Sequence, residues 1–410
     1  MTGDFASVTT EFQMSAMSDD YPRFINGEAY SEDSSLNTLD ICLLRPSSED
    51  TVDHVGYAIF VTISVSSFKE ETCNQSISNL CFAQDYSTVR LRRFIHGGAY
   101  RDPLISKASF LPTQSLLLSS KAPFTSHIAG LASPNYRLSP YPSHSTHPSA
   151  PSDTARNAKH PDHISDVLRG IAHLQRRFRF GERYILVGHS CGATMALQVA
   201  MSRDWGSGLP ASSSRSITNT TPSHPTAVPP LGIVGLEGIY SIPLMLHNHA
   251  STPAYRDFIL NVFGPDIAIP TATSTTASTS IDTDADTHTD VPFPSPSPAT
   301  FYQDVSPTSA HFTTSWPKGR VVVLAHSKDD ELVEWGQVEA MKKVLLAQSW
   351  AEDAEEGGRE VHVLEIVGSH DGVWRDGKEV VRAVGVALGK IFGGGEGVEV
   401  VDRRFCAVGS

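Results

Sequence analysis

Along the chain, short apolar runs alternate with stretches that place an apolar residue every third or fourth position. Tyr184-Ile185-Leu186-Val187 is a run of the first kind, and Gly192-Ala193-Thr194-Met195-Ala196-Leu197 starts a helix directly after it. Residues 321–325 form a second buried-strand run and lead into an amphipathic stretch over 332–346. Residues 361–367 predict a third strand, and 379–392 the closing helix. Upstream, Ile164, Val167, Leu168, Ile171 and Leu174 fall at spacings of three and four, which gives one apolar helical face. This alternation predicts an α/β fold with a mainly parallel central sheet and helices on both of its faces. A single domain over 1–410 accounts for the pattern, with no internal repeat.

Three tracts depart from it. Residues 207–230 and 270–298 are dominated by Ser, Thr, Pro and Asp, and 143–155 is a milder case. Such composition buries too little apolar area to offset ordering entropy, so all three read as disordered, solvated insertions. Residues 57–93 are atypical in another way. An apolar strand-like run gives way to a polar stretch holding Cys73 and Cys81, then to Arg90-Leu91-Arg92-Arg93, where a buried central strand is expected before Phe94-Ile95. One reading is an additional surface hairpin; the other is a partly mispredicted coding segment.

Hydrophobic residues make up 40% of the chain and charged residues 19%, enough for a large core. The net charge of -13 opposes nucleic acid and anionic membrane surfaces, so a small molecule is the expected partner. Residues 1–20 lack a basic segment followed by an apolar one, and the apolar run 57–65 is too short to span a bilayer. Five widely spaced cysteines suggest neither a disulfide framework nor a zinc site, and a reducing cytoplasm fits them.

The chemistry concentrates at Gly188-His189-Ser190-Cys191-Gly192, a Gly-x-Ser-x-Gly match lying between a strand run and a helix start. That context suits a nucleophile elbow, in which a sharp turn raises Ser190 above the sheet. Earlier, His96-Gly97-Gly98-Ala99-Tyr100 follows Phe94-Ile95 and has the form of an esterase oxyanion loop. Either Gly97 or Gly98 could donate its N–H together with that of Cys191. Elbow hydrolases place acid and base downstream in the order Ser, Asp or Glu, His. His370, just past the strand 361–367, stands where the base belongs. Asp329, Asp330 and Glu331 all lie in the loop after 321–325, and spacing does not separate them.

These segments, with Asn37-Thr38-Leu39-Asp40, Tyr136-Arg137-Leu138-Ser139, His160-Pro161-Asp162-His163, Glu237-Gly238-Ile239-Tyr240 and Asp330-Glu331-Leu332-Val333, resemble the fungal kynurenine formamidases, or arylformamidases. The resemblance implies the α/β-hydrolase fold and removal of formate from N-formyl-L-kynurenine in tryptophan catabolism towards NAD. By position it implies Ser190 as nucleophile, Asp330 as acid and His370 as base, and it suggests a homodimer. Tyr100 stands where the family has tryptophan. Tyr100, Tyr240 and Trp374 are candidates for the aryl side of the substrate, each equally able to be ordinary core. An aryl amine is a weakly basic leaving group, so the triad should suffice without metal or cofactor. Two other readings remain: a general short-chain carboxylesterase, since fold and triad do not fix substrate, and a hydrolase-like binding protein that has lost catalysis.

Overall fold

A computed structural model of the chain describes residues 21–44, 57–59, 93–201, 203, 205, 227–267, 300–351 and 358–392. Strands β1 (Arg23–Ala29) and β2 (Thr38–Leu43) form an antiparallel pair at one edge, and β2 pairs antiparallel with a later strand, Ile128–Pro134. Two three-residue strands, β3 (Tyr57–Ile59) and β4 (Arg93–Ile95), precede that strand, which is therefore β5. The chain then gives β6 (Ile185–His189), β7 (Gly232–Leu236), β8 (Val321–Ser327) and β9 (Glu360–Ile366). From β6 to β9 neighbouring strands pair in parallel and in sequence order. Parallel strands covered on both faces read as continuous apolar runs, which is why 184–187 and 321–325 stood out.

Helices cover both faces. They are α1 (Leu111–Ser119), α2 (Asp162–Phe178), α3 (Cys191–Ala200), α4 (Ile242–Asn248), α5 (Pro253–Phe263), α6 (Phe301–Val305), α7 (Phe312–Ser315), α8 (Gly336–Ala347), α9 (Gly372–Asp376) and α10 (Lys378–Phe392). Leu186, Ile233, Val322 and Leu324 pack with α2, α3 and α8, whereas Val187, Val234, Leu236 and Val323 pack with α1 and α10. The period-2 alternation of strand side chains thus divides the core into two layers. A largely parallel sheet between helical layers, with a strand–turn–helix at β6–α3, is the α/β-hydrolase arrangement.

Residues 143–155 are more ordered than their composition suggests. The loop satisfies its own backbone: Thr146 and His147 donate their N–H groups to His144 Nδ1, and Tyr141 donates to Ser149 Oγ. His144 Nε2 also lies 3.4 Å from Asp102, so polar side chains tie down a segment that buries little apolar surface. Residues 270–298 and 207–226 lie outside the described residues.

The atypical segment is informative at its two ends. Within β6, Ile185 is opposite Ile59 and the next residue, Leu186, is opposite Arg93. So β3 and β4 occupy consecutive positions along one strand site between β5 and β6, and residues 60–92, which lie outside the described set, enter the chain in the middle of that site. Closing a loop of ~33 residues costs about 3 kcal/mol in chain entropy. Deleting 60–92 and joining Ile59 to Arg93 is therefore expected to raise the thermal unfolding midpoint, read by calorimetry. A deletion variant that melts lower than the full chain would show that these residues contribute packing of their own.

Candidate active site

β6 ends at His189 and α3 begins at Cys191, which leaves Ser190 to make the turn with φ 54° and ψ -126°. A residue with a side chain pays roughly 1–3 kcal/mol for such a backbone, so the surroundings must impose it. They do so through hydrogen bonds: Ser190 N–H donates to Leu236 O at 2.9 Å, and Ala193 N–H donates to Ser190 O at 3.0 Å. The turn is also tight enough that a Cβ on Gly188 would overlap the Gly192 carbonyl oxygen.

The loop after β4 lies directly against this turn. A Cβ on Gly97 would sit 3.4 Å from Ser190 Cβ and 3.3 Å from His189 O. Tyr136 OH stands 2.8 Å from His96 O and 2.9 Å from Gly97 O, with its ring stacked on His96. Because a trans peptide opposes its C=O and N–H, anchoring Gly97 O at Tyr136 directs Gly98 N–H the other way. No acceptor among the described residues takes that N–H. Gly98, Ala99 and Tyr100 follow with φ of 92°, 47° and 61°, and Arg101 and Asp102 both donate to Gly98 O. The Cys191 thiol is fully buried, and burial pushes it up to about 12. Tyr136 OH stands 3.9 Å from its sulfur, and the Cys191 backbone opens α3.

At the ends of β8 and β9 the structure separates the three acids that spacing left open. Asp330 Oδ2 accepts from His370 Nδ1 at 2.8 Å, while its Oδ1 accepts the N–H groups of Leu332 and Val333. Burial would raise this carboxyl, but the bond to His370 and the backbone N–H groups outweigh it and hold Asp330 below the usual range. Glu331 accepts the backbone N–H of His370 at 3.0 Å. Asp329 donates its own N–H to Ser327 Oγ and makes no hydrogen bond to His370. A second histidine, His326, lies 3.3 Å from Asp330 Oδ2 and 2.8 Å from Val333 O.

Two further groups lie beside this pair that motif reading passed over. His189 Nε2 is 3.0 Å from His370 O and 3.0 Å from Glu237 Oε2, and the two imidazole rings are 4.5 Å apart. Burial, reinforced by His370, holds His189 well below its ordinary value. Glu237 follows β7 in a left-handed conformation, φ 48°, with its N–H on Ala325 O. Burial, and after it the charges of Asp330, Glu331 and Asp371, push its carboxyl up to about 11. Buried strain in a titratable residue was the available signal, and it appears only in three dimensions. Donor atoms of His189, Glu237 and His370 come within 4.8 Å of one another, which is the spacing of a metal site, and His189 Nε2 and His370 Nδ1 are engaged in the hydrogen bonds above.

Of the aromatic candidates, Tyr100 is buried edge-on to His163 and Phe263, and Tyr240 is fully buried against Gly235 and Gly238. Both belong to the core layer that contains Cys191. Trp374 packs in the opposite layer with Val373 and Val380, although it stands four residues from His370.

No protein-family model matches the chain. A kynurenine formamidase-like hydrolase of Fusarium equiseti is 35% identical over 71% of this chain and 80% of its own length. A kynurenine formamidase of Aspergillus versicolor is 33% identical over 69% and 82%, and one of Meyerozyma guilliermondii 27% over 75% and 91%. Among solved structures, a truncated carbohydrate esterase from gut microbiota aligns with 91% of this chain and 98% of its own at 13% identity and a TM-score of 0.48.

The acid loop generates a direct comparison. Asp330→Asn is expected to lower kcat by roughly 10³–10⁴-fold, because an amide no longer holds the imidazole tautomer. Asp329→Asn should change it only several-fold. Steady-state rates of the two variants check this, and the reverse ranking would overturn the assignment.

Proposed function

The chain belongs to the kynurenine formamidase family, and from that membership we propose that it cleaves the formamide of N-formyl-L-kynurenine to L-kynurenine and formate, a step of tryptophan catabolism. The observation that carries the mechanism is the 2.8 Å His370–Asp330 bond at the same end of the sheet as the strained Ser190 turn.

In this reading Ser190 Oγ attacks the formyl carbon while His370 takes its proton, and Asp330 stabilises the imidazolium and fixes its tautomer. The developing oxyanion sits between the N–H groups of Gly98 and Cys191. Gly97, with no side chain, lets the loop approach Ser190 this closely. Collapse of the tetrahedral intermediate breaks the C–N bond, and His370 returns the proton to the aryl nitrogen, which leaves as a weakly basic amine. Water then attacks the formyl-serine ester, again deprotonated by His370, and releases formate. Formyl carries only hydrogen beyond its carbonyl carbon, so a close wall at Ala99 and Cys191 admits it and excludes longer acyl chains by overlap. We assign the aryl side to Tyr100 and Tyr240, which share one core layer with Cys191, and not to Trp374.

Formate release from N-formyl-L-kynurenine, compared with hydrolysis of p-nitrophenyl butyrate, tests the reading. The formamide is expected to show the higher kcat/KM once intrinsic reactivity is normalised. Ready cleavage of butyrate without formate release would leave a general carboxylesterase. Ser190→Ala should lose essentially all turnover, keeping only the ~10³–10⁴-fold acceleration over water supplied by the oxyanion site and binding, and should no longer be labelled by a fluorophosphonate. Wild-type rates in that variant would end the serine assignment.

A further inference from the structure

Glu237 lies beneath the His370–Asp330 pair and takes no part in the steps above. It is fully buried, its backbone is left-handed, and its Oε1 has no hydrogen-bond partner among the described residues. A buried acid with half its oxygens unsatisfied is costly to keep. We propose that Glu237 is a positioning residue for the base: as a neutral carboxylic acid it holds His189, and His189 holds the main chain of His370. The inference rests on His370 being the general base.

The direction of each bond follows from what each atom can do. A carbonyl oxygen only accepts, so His189 Nε2, 3.0 Å from His370 O, carries its ring proton. Glu237 Oε2 is 3.0 Å from that same nitrogen and therefore accepts as well. Its other neighbour, His370 Nδ1 at 3.7 Å, gives its proton to Asp330. Oε2 is thus asked only to be an acceptor, and a neutral carboxyl is enough.

The surroundings oppose a charge there. Facing Glu237 are His189 from β6, Asp330 and Glu331 from the loop after β8, His370 and Asp371 from the loop after β9, and Tyr240 from its own loop. Three of these are carboxyl groups, and among the described residues no lysine or arginine pairs with Glu237. Burial and those acids keep its proton in place well above neutral pH.

The result is a histidine held at both ends of its main chain. Glu331 takes the His370 N–H, and His189, braced by Glu237, donates to the His370 C=O. Asp330 alone then faces the imidazole ring with a negative charge.

Two variants of the full chain test this. Glu237→Leu keeps the bulk but removes the acceptor, and it is expected to lower kcat for a chromogenic acyl ester, and the rate of fluorophosphonate labelling at Ser190, on the order of 10²-fold, since a misplacement of about 1 Å costs that much. KM should move by less than roughly threefold. Glu237→Gln supplies a neutral acceptor and should recover most of the loss with an unshifted acid limb of the pH profile. A Gln variant as slow as the Leu variant, or a Leu variant with wild-type rates, would overturn the proposal.

Urea unfolding supplies a readout independent of catalysis. Above pH ~5 unfolding of the wild type releases the Glu237 proton, because the carboxyl is neutral when folded and ionised when unfolded, so this group's contribution to stability falls as pH rises. Gln has no such proton. The ratio of the wild-type unfolding constant to that of Glu237→Gln should therefore grow about tenfold per pH unit between about pH 6 and 8. A flat ratio would mean that Glu237 is ionised in the fold, which overturns the proposal even if Glu237→Leu fails to fold. Labelling and unfolding need no formylkynurenine, so absent formate release with these results intact would reject the substrate and leave the positioning role standing.

Discussion

Ser190 turns the chain from β6 into α3 in a conformation that a side chain makes unfavourable, and the groups around it are arranged to keep it there. The parallel pairing of β6 with β7 brings Leu236 O under the Ser190 N–H. Gly188 is tolerated only as glycine because the first turn of α3 passes over it. The loop after β4 can approach because Gly97 has no Cβ to crowd His189 and Ser190. If the turn relaxed, serine, loop and helix start would lose their common geometry together.

Around that turn the molecule places an unusual amount of buried ionisable chemistry: His189, His326 and His370, with Glu237 and Asp330. Low dielectric makes such groups costly unless each proton has a defined place. Here Asp330 is satisfied by two backbone N–H groups as well as by His370, so its charge is stabilised by fixed dipoles rather than by water. The neighbouring acid is treated in the opposite way and kept protonated by the same burial and by that charge. Two carboxyls a few ångströms apart in different protonation states is a pattern that functional sites use and stable cores avoid.

Relatives align over about 70% of the chain. Residues 60–92 divide one strand position three residues before the loop that begins at His96. Among the described residues no helix is long and apolar enough to cross a membrane.

Much of this was legible in the sequence, for a physical reason in each case. Parallel strands buried on both faces need unbroken apolar runs, and β6 and β8 were found within a few residues of their bounds; β9, at the end of the sheet and only partly buried, was found from its alternating valines and leucine. An elbow needs small residues on both sides of its serine, so Gly188 to Gly192 carried its own signal. His370, the proposed base, was recognisable because it follows a strand end. What composition missed was residues 143–155, where side-chain to backbone hydrogen bonds order a polar loop without apolar burial. Spacing could not rank Asp329, Asp330 and Glu331, because adjacent loop residues differ only in where the backbone aims them. Trp374 looked close to His370 in sequence yet packs on the other face of the sheet. Above all, the joining of His189, Glu237 and His370 was undetermined by the sequence, since they come from three strand ends. Only the packing of β6, β7 and β9 into one sheet brings their polar atoms within hydrogen-bond reach and seals them from water.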